Sequence, residues 1–348
     1  MMTANMAGRV AQAGRGWGSF GARYLPWPTL TRRTWQTCHR AAAGIAMAAV
    51  FAQGAVTLFP AALPSGDAAR EGAPASSSGA RDMTGRETIV GGYLGVPDHA
   101  RSDVKMVRPD GTDLLMKNIR WDAEPFRFPI YAGVRVTRWQ GAFGGMIDFM
   151  HDKAIARVGK GAHGRKVTGE RAIPDVIDVE GKLKGQPAAP QYKITDIIER
   201  LEFSHGHNML LPTALLRLAN LSPWFRPYVG VGAGVAIPHV EVFPAGEGEE
   251  GRTNEYQLAG PAMQGVFGIE IPLKNGPVFL EYKYTWASLQ TNLTGGQTPS
   301  WCNCDFVSDF VRNGMRWWRG EAPIHGTLST TIRTHQVVGG AGYRLRGG

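Results

Sequence analysis

Three observations predict an all-β fold, an eight-stranded antiparallel up-and-down β-barrel with long loops at one end. Beyond residue 86 no apolar run is long enough for a transmembrane helix, yet about eight segments have strand length and strand alternation. The links between these segments are alternately short and long. Within Arg226 to Val242, Val229, Val231, Ala233, Val235 and Ile237 share one face, while Gly230, Gly232, Gly234 and Ala236 share the other. Glycines would weaken a strand packed in a soluble sheet. They suit a narrow closed barrel, greasy outside and crowded within.

In chain order the predicted strands begin with Thr88 to Val96. Tyr131 to Trp139 follows, with Gly133, Arg135 and Thr137 opposite Val134 and Val136. Phe143 to Lys153 sets Phe143, Ile147 and Phe149 against Asp148 and Asp152. His207 to Ala219 has ambiguous facing, and Pro227 to Val242 is the fifth strand. Tyr256 to Leu273 sets Met263, Phe267 and Ile269 against Gln264, Gly268 and Glu270. Val278 to Leu289 sets Leu280, Tyr282, Tyr284 and Trp286 against Glu281, Lys283 and Thr285, and Arg333 to Leu345 closes the series.

The links are short at Gln140 to Ala142, Asn220 to Arg226 and Lys274 to Pro277. They are long at Pro97 to Ile130, Ala154 to Gly206, Phe243 to Glu255 and Gln290 to Ile332. An outer-membrane barrel with both termini in the periplasm requires this sorting, with turns on one side and long extracellular loops on the other. The expected location is therefore the bacterial outer membrane, and the expected oligomeric state a monomer. The predicted interior holds Arg135, Asp148, Glu270, Glu281, Lys283 and Arg344, and charges buried there need partners. Trp139, Phe143, Trp224, Phe225, Tyr228 and Tyr343 are expected to form an aromatic girdle at the short-turn end. Eight strands leave no aqueous channel, so a porin is not expected.

The net charge of +9 is unevenly placed. Residues 1–66 contain six arginines and no acid, leaving 32 basic against 29 acidic residues in the remainder. That balance argues against a nucleic-acid partner. The arginines precede Ala41 to Leu63, an alanine-rich apolar stretch that reads as a signal peptide. A retained anchor is the alternative. The expected organisation is 1–66 basic and signal-like, 67–86 flexible linker, and 87–348 barrel. Three cysteines make no disulfide framework, and Cys302 and Cys304 lie too close for an unstrained bridge.

Several motifs together resemble one family. They are Asp148-Phe149-Met150-His151-Asp152-Lys153, Gly206-His207-Asn208, Pro227-Tyr228-Val229-Gly230, Pro238-His239-Val240-Glu241, the run from Tyr256 to Gln264, Glu281-Tyr282-Lys283 and Thr334-His335-Gln336. In this order they are similar to the lipid A oxidases, outer-membrane barrels of rhizobia and related bacteria. The resemblance implies a membrane-embedded protein whose partner is lipid A in the outer-leaflet lipopolysaccharide. The implied reaction is oxygen-dependent oxidation of the proximal glucosamine to an aminogluconate unit.

His151, Lys153, His239, Glu241 and His335 all fall at the long-loop ends of their strands and are the candidate catalytic residues. By strict alternation His151 shares a face with Ile147 and Phe149, and His239 and Glu241 share one with Val235 and Ile237. They would then sit on the outward upper rim unless Pro238 bulges the strand. Side chains alone do not activate oxygen, and the sequence holds no flavin or nicotinamide fingerprint. Two histidines and a carboxylate can ligate non-haem iron, so His151, His239 and Glu241 are the candidate metal ligands, with molecular oxygen as co-substrate. The fourth strand separates these residues, and long side chains or curvature must close the gap. The Ala154 to Thr195 link carries eight basic and four acidic residues; it reads either as a contact for lipid phosphates or as a solvated loop. The rival functions are a non-catalytic structural or adhesion barrel and a deacylase using Ser204 and His205.

Overall fold

The computed structural model describes residues 86–218, 224–296 and 305–345. The signal-like segment, the linker up to residue 85, and Cys38, Cys302 and Cys304 lie outside the described residues. Eight long strands form the frame. They are β1 (Arg86–His99), β2 (Ala132–Gln140), β3 (Phe143–Ala156), β4 (Ile198–Arg217), β5 (Arg226–Pro244), β6 (Gly260–Pro272), β7 (Pro277–Asn292) and β8 (Thr327–Leu345). Each pairs antiparallel with its sequence neighbour. β8 pairs back onto β1, from Thr88 opposite Leu345 to His99 opposite Thr334, so the ring closes and removes the free edges of an open sheet.

The period-two pattern turns this ring inside out. Val134, Ile147, Val231, Phe267, Leu280 and Val337 face outward and are more than half exposed, while Asp148 and Lys283 are fully buried in the lumen. Ion pairs cross the interior between strands that are not neighbours. Lys283 on β7 meets Asp148 on β3, and the Tyr93 hydroxyl donates to the same carboxylate at 2.9 Å. Arg135 on β2 lies 2.5 Å from Glu281 on β7, which also accepts a hydrogen bond from Tyr228. Nearer the short turns, Arg217 donates to Glu270 at 2.8 Å and to Glu87 at 3.3 Å, and Arg344 reaches Glu87 at 2.5 Å. The six expected interior charges thus all belong to networks, and Arg344 does so at the rim.

Inward glycines clear space for large rings. A Cβ on Gly133 would stand 2.0 Å from the Tyr93 ring, and one on Gly268 would stand 2.4 Å from the Tyr228 ring. This corrects the expected girdle. Trp139 and Tyr228 are buried inside, their rings edge-on at 6.0 Å, because their parity points inward and bare backbone faces them. Phe143, Trp224, Phe225 and Tyr343 are exposed as expected.

The strand bounds differ where the loops begin. β4 starts at Ile198, nine residues before the expected His207, and Tyr256 lies on a separate short strand, Thr253–Tyr256, rather than on β6. The long links also hold strands of their own. Ser102–Val107 continues the sheet from β8, Asp113–Ile119 pairs with it, and Val176–Leu183 pairs with that in turn. A helix, α1 (Asp305–Trp318), lies in the last link. Above the charged lumen the links pack an apolar core that includes Met106, Leu114, Met116, Ile177, Ile198, Phe203, Val240 and Leu328. The ring therefore has a polar interior capped by a greasy one.

The lumen pairs give the first prediction. Lys283→Met leaves Asp148 buried without a counter-charge and should cost about 3–5 kcal/mol. Adding Asp148→Asn should recover most of that loss in urea unfolding followed in detergent micelles. A single-variant loss below about 1 kcal/mol, the range of an exposed pair, would show that these charges are not desolvated.

Candidate functional site

The site is made by a register shift. Glu202 on β4 stands opposite Glu241 on β5, and His207 stands opposite Pro238. Five steps on β4 therefore match three on β5. The same surplus appears against β3, where Phe203 faces Ala154 and His207 faces Asp152. Two extra residues bulge from β4 at its upper end. Gly206 there has φ +140, a backbone conformation that side-chain-bearing residues rarely adopt. The insertion brings Ser204 and His205 against Glu241. Ser204 Oγ donates to Glu241 Oε1 at 3.1 Å, and His205 Nδ1 lies 2.5 Å from the same oxygen.

Other elements complete the cluster. The turn Ala162–Gly164, in the link after β3, holds His163 with φ +58. The His163 backbone N–H donates to the Glu202 carboxylate at 2.9 Å, and the His163 ring lies tilted against that of His205, with centroids 4.0 Å apart. His163 Nδ1 lies 3.8 Å from Glu241 Oε1. His239 Nδ1 lies 3.4 Å from that oxygen, and the Tyr256 ring closes over His239 at 4.6 Å. Arg200 donates to the second Glu241 oxygen at 3.2 Å. The Glu241 and His239 side chains are 2% and 0% exposed, whereas those of His163 and His205 are 25% and 28% exposed, so the cluster opens through the latter two.

Within this group, one ligand atom from each of His163, His205 and Glu241 lies within 4.8 Å of the other two. Burial, then the neighbouring His205, lowers the His163 imidazole to about 4 against the pull of Glu241. It is therefore neutral at physiological pH, with a lone pair available. Two imidazoles and a carboxylate can take a divalent transition ion, and a buried carboxylate beside imidazoles can also exchange protons.

Of the five residues expected from the sequence, His239 and Glu241 come together. Alternation keeps them on the outward face of β5, and it is β4 that bulges, not the strand at Pro238. Both are nonetheless buried, because the β4 bulge and the loops cover that face. His151 is on the same outward face but pairs with Asn208 Oδ1 at 2.9 Å, outside the close group of three. The Lys153 ammonium donates to the Arg127 carbonyl at 2.8 Å. His335 lies three strands away on β8, exposed, against the Tyr282 hydroxyl at 2.6 Å. His163 and the role of His205 escaped the sequence reading. The available signal was Ser204-His205-Gly206-His207, in which a glycine interrupts a run of polar residues at a strand end. Ser204 is not bonded to His205, as a deacylase pair would require; its hydroxyl is 3.3 Å from His163 Nδ1.

Ion pairs hold the link that carries His163. Arg171 donates to Asp122 at 2.8 Å and Glu124 at 2.7 Å, Arg165 donates to Glu124 at 3.1 Å, and Arg157 donates to Asp122 at 3.1 Å. Arg120 pairs with Asp175 from the opposite side. The arginines of this link are thus engaged within the protein, and its ordered strands replace the solvated loop of the sequence reading.

No protein-family model matches the chain, and no curated protein matches it. Among solved structures it is similar to the outer membrane protein OprG from Pseudomonas aeruginosa, with a TM-score of 0.38 and 11% identity over 76% of this chain and 97% of that one. Neisserial surface protein A matches with a TM-score of 0.27 and 7% identity over 73% and 97% of the two chains. Ail, the attachment invasion locus protein of Yersinia pestis, solved with the heparin analogue sucrose octasulfate, matches with a TM-score of 0.28 and 12% identity over 76% and 100%.

The clasp on the His163 link is pH-dependent. Burial raises the Glu124 carboxyl, but the hydrogen bond and charge of Arg171, with Arg165, outweigh it and hold the group below its ordinary 4.5. A lowered folded value stabilises above the unfolded one and ceases to do so as pH falls through the folded one. Amide protection factors over residues 162–172 should therefore fall as pH drops below about 4.5. Arg171→Ala should lower them already at pH 7. Unchanged protection in both experiments would mean that the clasp does not hold the loop.

Proposed function

We propose that the chain is an outer-membrane β-barrel enzyme that oxidises the proximal glucosamine of lipid A to an aminogluconate unit, with molecular oxygen as electron acceptor. The observation that carries this reading is the height of the His–Glu cluster on the outer wall. An exposed apolar surface on every strand, around a lumen of buried charge, suits a ring immersed in lipid. His239 lies four residues above Val235, about 13 Å along the strand and about 10 Å in height at a tilt near 40°. In this reading that level meets sugar headgroups rather than acyl chains. The motif resemblance to lipid A oxidases supports the substrate class.

The residues divide the work in this reading. His239, beside the Glu241 carboxylate that Arg200, Ser204 and His205 hold, is in this reading the group that takes a proton from a sugar hydroxyl. Tyr256, and Phe306 of α1 with its ring 5.1 Å beyond, wall the buried side from water. The partly exposed His163 and His205 mark the side on which the cluster opens. A redox ion such as iron, which His163, His205 and Glu241 would hold, would supply the oxygen chemistry that side chains lack.

Mass spectrometry of lipid A from aerated cells with and without the gene tests the proposal. The expected result is a gain of one oxygen per lipid A, dependent on oxygen. His239→Ala should abolish it, at least about 100-fold in rate as for the loss of a general acid–base group, while the barrel keeps its heat-modifiable gel migration. Loss of an acyl chain would point to the deacylase, and an unchanged lipid A to a non-catalytic barrel.

A further inference from the structure

We infer that the chain binds one divalent transition-metal ion through His163, His205 and Glu241, with His239 placed to complete the set, and that the ion pins the long β3–β4 link to the outer wall of β5. This ligand set differs from the one suggested by the sequence, since His151 is replaced by two residues that only the fold brings near.

The geometry has three independent parts. The first is proximity: ligand atoms of the three residues lie within 4.8 Å of one another, less than about 1 Å beyond the span of about 4 Å that an ion at ligand distances of about 2 Å bridges, so a small side-chain shift closes the set. The second is the state of His239. Its side chain is fully buried, and neither ring nitrogen has a hydrogen-bond partner, although Nδ1 lies 3.4 Å from Glu241. A buried imidazole in that state lacks a partner, and an ion beside Glu241 would provide one. The third is orientation. Metal ligands are normally held by outer hydrogen bonds, and here Ser204 and Arg200 bind Glu241, while the Glu202 carboxylate fixes the His163 backbone.

The ligands come from three separate elements. Glu241 is on β5, His205 is in the β4 bulge, and His163 is on the link after β3. Binding in the folded state must therefore stabilise the contact between link and wall. The donor set of two nitrogens and one oxygen excludes hard, oxygen-seeking calcium and suits first-row transition ions. This deepens the lipid-oxidation reading by naming the ion's ligands, but its test contains no lipid, so the two can fail separately.

The test uses the full chain in detergent micelles, stripped with chelator and titrated with cobalt(II). Wild type should bind one equivalent, with visible d–d absorption, and exchange at amides 160–166 should slow on binding. His163→Ala and His205→Ala should each weaken binding at least about 100-fold, as expected for lost ligands, with heat-modifiable migration unchanged. His151→Ala should leave the affinity within about threefold. The inference is overturned if the stripped wild type shows no saturable binding, a result that needs no variant. It is equally overturned if binding survives His163→Ala but is lost in His151→Ala, which would return the site to the sequence-derived set. Binding without slower exchange would overturn the pinning role.

Discussion

Every feature of this molecule rests on the pairing of charges inside a ring whose outer wall is apolar. Lys283 with Asp148, and Arg135 with Glu281, join strands on different sides of the lumen. Such pairs do not gain much over apolar packing, because desolvation offsets the Coulomb attraction. What they do is fix parity. A one-residue slip of β2, β3 or β7 would send a buried charge into the apolar belt and an apolar side chain into the lumen. The ring therefore has one register, and that register sets which residues reach the upper outer wall.

The two halves of the molecule solve the burial problem differently. In the lower half alternation is strict, with glycine opposite tyrosine and tryptophan rings. In the upper half both faces of β5 are buried, since the links fold back as additional strands and α1 lies near Tyr256. The cluster sits at the boundary between these regimes. There the outward face of β5 is already out of the apolar belt but is covered by protein. A carboxylate can be nearly sealed there and still have partly exposed neighbours on its open side. The bulge in β4 is the device that makes this possible, because it supplies two residues without a change of parity.

The electrostatics of the links point the same way. The surplus of basic residues after β3 looked available to an anionic lipid, but Arg157, Arg165 and Arg171 are matched by Asp122 and Glu124 from the preceding link. Their role is to hold one loop against another and so set the position of His163. Charge counted along a sequence overstates the charge a surface can offer.

The strands, the facing of all but the fourth and the sorting of short and long links were legible in the sequence, because alternation, with its period of two, and turn length are local properties. His239 and Glu241 were legible for the same reason, being two residues apart on one strand. Trp139 and Tyr228 were misplaced because aromatic character does not reveal which side of a wall a ring occupies; the glycines across the lumen decide that. His163 and His205 could not be placed, since their approach to Glu241 depends on a two-residue register shift and on a loop returning over the wall. Those are long-range pairings, and no local pattern encodes the closing of a gap between residues separated by about 40 or 80 positions.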